Sequence, residues 1–137
     1  MTQGQKDLLL LKDLCARLPY RVKVQYLSYQ NPLEILSINP NGVTWVTGDK
    51  GYPFEVDWKD CKPYLFPLSS MTEEQKKKYN FWKHEVPVCH YAYGDVVEEI
   101  ELYESPASFD YLIENHFDYY GLIPMGIAED ATGKNIY

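Results

Sequence analysis

Between Tyr20 and Trp58 the side chains change character at every second residue, and turn-forming residues break the run at short intervals. Tyr20, Val22, Val24 and Tyr26 alternate with Arg21, Lys23 and Gln25. An extended chain with that alternation has one face for a core and one for water. Asn31-Pro32 interrupts the run, and Leu33 to Ile38 reads as a second strand. Pro40-Asn41-Gly42 follows, with Asn-Gly suited to positive φ. Val43 to Thr47 reads as a third strand and Gly48-Asp49-Lys50-Gly51 as the next turn. In a fourth strand Tyr52, Phe54, Val56 and Trp58 alternate with Pro53, Glu55 and Asp57. Pro53 has no N–H for a ladder, which suits a sheet edge or a strand start.

Four short strands on tight turns make an antiparallel meander. A sheet this small, strongly twisted, curls to hide its apolar face. Lys62 to Phe66 supplies a short helical turn and a closing strand. The spacing is that of a small antiparallel β-barrel of the Src-homology or Tudor type, an analogy of fold alone.

Helices flank the meander. Thr2 with Gln5 matches a capping box, Leu8, Leu11, Leu14 and Leu18 form one stripe, and Pro19 ends the helix. Cys15, on that stripe, is expected in the core. Thr72 with Gln75 is a second capping box, with Glu73 and Glu74 at the positive helix start. There Gln75, Tyr79, Trp82 and Val86 share a side, Lys76 to Lys78 face solvent, and Pro87 stops the helix. Asp95 to Glu104 reads as a strand with Ile100 and Leu102 on one face; as a helix it would group Val96, Val97, Ile100 and Glu104. Ser105-Pro106 opens a last helix, with Ser as N-cap and a buried stripe of Phe109, Leu112, Ile113 and His116. The tail from Phe117 is apolar enough to pack back on the body. The expected fold is α+β: an N-terminal helix and small barrel over residues 1–68, then a mainly helical acidic part over 69–137 packed on it, the two together forming one compact domain in the alternative.

At 137 residues such a chain buries a little under ~70% of its unfolded surface, enough for a core without staples. The longest pure apolar run, Leu8 to Leu11, is far below the ~20 residues of a membrane span. A secretory leader needs a longer apolar stretch after a basic start, so the expected location is the cytoplasm. Cys15, Cys61 and Cys89 are odd in number and widely spaced, unlike a disulfide framework.

The search for chemistry returns little. His84, Cys89 and His90 lie close in sequence, but a structural zinc site wants four ligands in closely spaced pairs, and strand neighbours point to opposite faces. The acids Asp95, Glu98, Glu99 and Glu101 lack the loop spacing and turn glycine of a calcium hand. No Gly-x-Ser-x-Gly elbow and no Gly-rich phosphate cradle is present. Twenty acids make a catalytic carboxylate pair an unspecific signal. No metal or cofactor is expected, and an enzyme is disfavoured.

Charge is the strongest functional signal. Between Lys83 and Lys134 there are eleven Asp or Glu residues and no Lys or Arg. That field opposes phosphate and permits a basic partner. Direct nucleic-acid binding is therefore disfavoured: Arg21, Lys23, Lys50, Lys59 and Lys62 near Tyr26 and Trp45 are offset by Asp49, Asp57 and Asp60. Thirteen Tyr against five Phe adds a residue type common at interfaces. Trp45, Tyr52 and Trp58 suit a groove or cation cage, although Tyr52 and Trp58 share the register of the buried face, which favours core packing. The leading expectation is a non-enzymatic module that meets a protein partner, a basic one in the favoured case, through Asp95, Glu98, Glu99, Glu101, Glu104, Tyr119, Tyr120 and Trp45. A hydrolase with a carboxylate pair and an acidic mimic of nucleic acid are the alternatives. The oligomeric state is not encoded in any feature of the chain.

Two stretches also carry a likeness: Lys62-Pro63-Tyr64-Leu65-Phe66-Pro67-Leu68-Ser69-Ser70-Met71-Thr72-Glu73-Glu74, and Asn115 through Ala128. On these the chain resembles short proteins of Bacteroides-type gut anaerobes and their mobile elements, a group with no activity assigned. The group often has Arg where this chain has Tyr120. The resemblance implies an accessory protein and assigns no site.

Overall fold

The computed structural model describes residues 2–41, 43–48, 51–84, 90–92, 95–97 and 106–137; within 80–106 the description covers the backbone only. Helix α1 (Gln3–Arg17) starts at the expected capping box. The Gln5 N–H donates to Thr2 Oγ1 at 3.2 Å, and the Thr2 N–H donates to Gln5 Oε1 at 2.8 Å. Its buried face is Leu10, Asp13, Leu14 and Arg17, at helical three- and four-residue steps. The leucine stripe read from sequence is thus rotated. Leu14 is buried, Leu11 and Leu18 are half-buried, Leu8 is 60% exposed, and Cys15 is exposed rather than in the core. The cause is an ion pair facing inward. Arg17 Nε lies 2.9 Å from Asp13 Oδ2 with both side chains fully buried, and a pattern of leucines alone gives no sign of it.

The expected strands follow as β1 (Lys23–Tyr26), β2 (Leu33–Ser37), β3 (Thr44–Thr47), β4 (Pro53–Val56) and β5 (Cys61–Leu65). Val22, Val24, Leu33, Ile35, Val46 and Val56 point inward and pack with Trp58 and Cys61 against Leu10 and Leu14 of α1. Strand β8 (Glu129–Asp130) completes a six-stranded sheet of order β4-β3-β2-β1-β5-β8. All pairs are antiparallel except β5–β8, where Tyr64 and Leu65 align with Glu129 and Asp130.

This sheet corrects the expectation of a closed barrel. Closing the ring would require β5 to pair with β4, but the second edge of β5 is taken by β8, and β4 and β8 stand at the two ends. The sheet is nevertheless strongly bent. Four inter-strand steps of about 4.8 Å would separate β4 from β5 by about 19 Å if the sheet were flat. The five Cα steps from Val56 to Cys61 reach at most about 17 Å fully stretched, and they include a 3₁₀ turn at Trp58–Asp60. Pro53 opens the edge strand β4, as its missing N–H requires.

The second half is less uniformly helical than expected. It holds α2 (Glu73–His84), an antiparallel hairpin of β6 (His90–Ala92) and β7 (Asp95–Val97), and α3 (Pro106–Glu114). The second capping box is formed: Gln75 N–H to Thr72 Oγ1 at 3.2 Å and Thr72 N–H to Gln75 Oε1 at 2.9 Å. Strand at Asp95–Val97 matches the preferred reading; Glu98 to Ser105 lie outside the described residues, as do Val86 and Pro87.

Helix α3 ends in a Schellman arrangement. The Phe117 N–H bonds to the Leu112 carbonyl at 2.8 Å and the His116 N–H to that of Ile113 at 3.1 Å. His116 takes the left-handed position, φ 61°, where glycine is usual and any other residue costs about 1–2 kcal/mol. Past it the chain returns to the body as expected. Phe117 bridges Phe66, and the Tyr137 hydroxyl accepts from Lys23 N at 2.9 Å and donates to the Tyr64 carbonyl at 2.9 Å.

Candidate binding surfaces

The residues singled out for interaction do not converge on one place among the described residues. Asp95 begins β7; Glu98, Glu99, Glu101 and Glu104 lie outside the described residues. Tyr119 and Tyr120 are half-buried. Their rings meet edge to face at 4.9 Å, and Tyr119 also meets Phe109 edge to face at 4.9 Å. Tyr120 packs beside Leu65, Leu122 and Ala128, and burial raises its phenol pKa. Trp45 is 39% exposed on the outer face of β3, opposite Glu55.

The three aromatic residues offered as a cage diverge. Trp58 is in the core, Trp45 faces outward, and Tyr52 is 81% exposed. The core register assigned to Tyr52 is therefore corrected. The β3–β4 ladder begins at Pro53, so Tyr52 belongs to the turn after Gly51, whose φ is 74°, and not to the strand.

Among the described residues there are also concave regions; two of them are candidate binding surfaces, and neither was read from the sequence. The first is a groove of about 450 Å³ at the rim of the sheet, lined by Tyr26, Pro40, Glu55, Asp57, Trp58 and Lys59 among others. Local rules place each group. Glu55 is an outward residue of β4. Asp57 caps the 3₁₀ turn, its Oδ1 accepting from the Lys59 N–H at 3.0 Å. The Trp58 indole N–H reaches the Pro40 carbonyl at 3.5 Å, which ties the β2–β3 loop to that turn. The Lys59 ammonium sits 5.8 Å from the centre of a Trp58 ring, within the range of a cation–π contact. The lining thus holds two carboxylates and one ammonium beside aromatic surface. Alternation around Glu55 was visible in the sequence, but Asp57 and Trp58 were read as the end of the fourth strand, whereas β4 stops at Val56 and a 3₁₀ turn follows; the meeting of these groups with Tyr26 and Pro40 depends on the bend of the sheet.

The second is a cleft of about 530 Å³ between the start of α2, the end of α3 and the tail. Phe66, Gln75, Asn115, His116, Phe117 and Tyr137 line it, as do Glu114 and Ser70. The His116 and Tyr137 rings stack at 3.8 Å and 8°. Burial, with Arg17 and Lys23 nearby, pulls the imidazole down to about 4, against a hydrogen bond to the Tyr20 backbone that acts the other way. His116 is therefore neutral at physiological pH. Burial pushes the Tyr137 phenol up, so it stays protonated as well.

Beneath the cleft, charge is internal and structural. Arg17, aligned by Asp13, donates to the carbonyls of Ile113 and Phe117 at the end of α3, where a cation meets the negative pole of the helix. Asp118 accepts from the N–H groups of Leu122 at 2.7 Å and Ile123 at 3.0 Å. At the surface, by contrast, Glu129 faces the half-exposed Lys62 at 3.9 Å and Lys134 at 4.0 Å. Among the described residues no group of three or more His, Cys, Asp or Glu side chains could hold a metal ion. No described helix is long and apolar enough to cross a membrane. Comparison with family models, with curated proteins and with solved structures found no match to this chain.

Proposed function

We propose that the protein is a non-enzymatic interaction module that binds a basic segment of another protein in the cytoplasm. The observation that carries this reading is the rim groove, in which Glu55 and Asp57 stand beside Tyr26 and Trp58. Carboxylates next to aromatic surface are the chemistry that recognises a Lys or Arg side chain. Lys59 over the Trp58 ring is an internal example of that contact. Association by strand addition at the neighbouring edge is a poorer fit, because Pro53 and Glu55 blunt β4 in the way natural edges are protected. The acid-rich stretch from Asp95 to Glu104 supplies long-range attraction in this reading, which speeds encounter more than it deepens affinity. The accessory role implied by the resemblance to short proteins of gut anaerobes is part of the same proposal.

The test is binding of a ten-residue peptide of alternating Arg and Gly to the wild type and to the Glu55→Gln/Asp57→Asn variant. Loss of two charge-assisted contacts should weaken binding by about tenfold or more at low salt. Equal affinity for both proteins removes the groove from the account.

A further inference from the structure

The outer face of the sheet carries apolar surface that the core does not use. Trp45 of β3 is 39% exposed and Leu36 of β2 is 46% exposed. A bulge makes them neighbours. The register steps from Ile35 opposite Val46 to Ser37 opposite Trp45, so Leu36 and Ser37 together face Trp45, and both are exposed. Val43, 40% exposed, precedes the buried Thr44 and so stands on the same side as Trp45. One large apolar side chain exposed alone is ordinary, but three together on one face mark a surface that meets something.

Charge selects what that is. Glu55 stands directly across the ladder from Trp45, and together with Val43 and Asp57 it lines the rim groove, so strip and groove are continuous. Glu34, on the same face, is answered by Arg21 at 2.8 Å. Glu55 has no ion pair among the described residues, and Asp57 spends one oxygen on the Lys59 N–H. Nucleic acid and an anionic bilayer would meet these carboxylates as like charges. A second copy of the chain would bring the same carboxylates to the same face. A segment of another protein with both cations and large apolar side chains matches both parts of the surface.

We propose, resting on the reading of the rim groove as a site for a basic segment, that the segment is amphipathic: an Arg or Lys meets Glu55 and Asp57, and a large apolar side chain two positions away packs on Trp45 and Leu36. The spacing comes from the sheet. Residues i and i+2 of an extended segment lie about 6.8 Å apart on one side of it, against about 4.8 Å between adjacent strands. From a cation at β4, that single step across the strands lands between β3 and the bulge of β2. The cations speed and orient encounter, and the apolar anchor adds affinity by leaving water.

The experiment titrates the full ¹⁵N-labelled chain with two peptides of equal charge, Arg-Gly-Leu-Gly and Arg-Gly-Ser-Gly, each repeated three times. Wild type should bind the Leu peptide about tenfold more tightly than the Ser peptide, as burial of a leucine side chain predicts. The Trp45 indole N–H and the Leu36 amide should shift with the Leu peptide and far less with the Ser peptide. Trp45→Thr/Leu36→Thr, which puts a strand-favouring residue at two exposed positions, should bring the affinity ratio to about one. A ratio near one in wild type overturns the proposal, as does a ratio that survives in the variant. The wild-type resonances decide the matter even if the variant does not fold: no selective shift at Trp45 and Leu36 overturns it. A wild-type dimer in sedimentation velocity that Trp45→Thr/Leu36→Thr dissociates also overturns it, because a second copy then covers the strip. The rim groove itself fails by a different result, equal affinity of the Ser peptide for wild type and for Glu55→Gln/Asp57→Asn.

Discussion

Arg17 ties together parts of the chain that are far apart in sequence. It is fully buried, paired with Asp13 at 2.9 Å, and it ties α1 to main-chain carbonyls about a hundred positions away, at separations of 96 and 100 residues. Removing one member of such a pair leaves a buried charge alone, so Arg17→Met should lower unfolding stability by about 3–5 kcal/mol in urea titrations. Adding Asp13→Leu should recover part of that loss; a double variant worse than the single would contradict this description of the pair. His116 gives a second residue-scale test. In the unfolded chain it titrates near 6.5, and in the fold it is held down to about 4. Between those values the unfolded chain binds a proton that the folded chain refuses. Stability is therefore complete above about pH 6.5 and falls as pH drops towards 4, by roughly 3 kcal/mol in all. Burial raises the Asp13 carboxyl above 3.8 against the pull of Arg17. Its contribution runs the opposite way at the acid end, because the folded chain holds that proton longer. Comparing wild type with His116→Phe at pH 7 and pH 5 isolates the histidine, and the variant should lose most of the acid sensitivity over that interval. The cysteines are a third check. Burial, then Asp60 and Asp57, pushes the Cys61 thiol up to about 12, while Cys15 is exposed. Thiol-reactive dye should modify Cys15 in the native protein and Cys61 only on unfolding; equal rates would contradict the placement of Cys61.

At the scale of elements, what could be read from the sequence was what local rules govern. The four alternating strands, both capping boxes, the start of α3 at Pro106 and the edge position of Pro53 all follow from side-chain period and backbone chemistry. The misreadings came from long-range pairing. Strand β8 is two acidic residues, Glu129 and Asp130, with no alternation to betray it, yet it occupies the edge that a closed barrel would need. The stripe of α1 was rotated by the Asp13–Arg17 pair, in which Arg17 also donates to the carbonyls of Ile113 in α3 and Phe117 just beyond it. The candidate surfaces were missed for the same reason. Glu55 and Asp57 are ordinary strand and turn residues until the bend of the sheet brings them to Tyr26 and Pro40. His116, expected on the buried stripe of the last helix, is buried but lies past the end of α3 in a left-handed position, and nothing in its neighbours foretold the cleft. The protected edge gives the test that belongs here. Replacing Pro53 with Thr restores a donor to β4, and Glu55→Thr removes the charge beside it. That double variant should self-associate measurably in light scattering where the wild type does not. An unchanged scattering profile would mean that β4 is covered by something other than its own chemistry.

For the whole molecule the question is where the negative charge is free to act. Several acids of the second half serve the fold: Asp118 caps a loop, Glu129 pairs with Lys62 and Lys134, and Asp130 accepts from Thr132 N. On α3, Asp110 and Glu114 are exposed, and the rim groove adds Glu55 and Asp57. These are among the described sites where a basic segment could find unmatched charge. The most direct measurement is to map the Arg-Gly peptide on the protein by backbone amide shifts, at low and at high salt. The account predicts saturable changes centred on Tyr26, Glu55, Asp57, Trp58 and Lys59, with affinity falling as salt rises. Changes centred elsewhere, or affinity indifferent to salt, would contradict it.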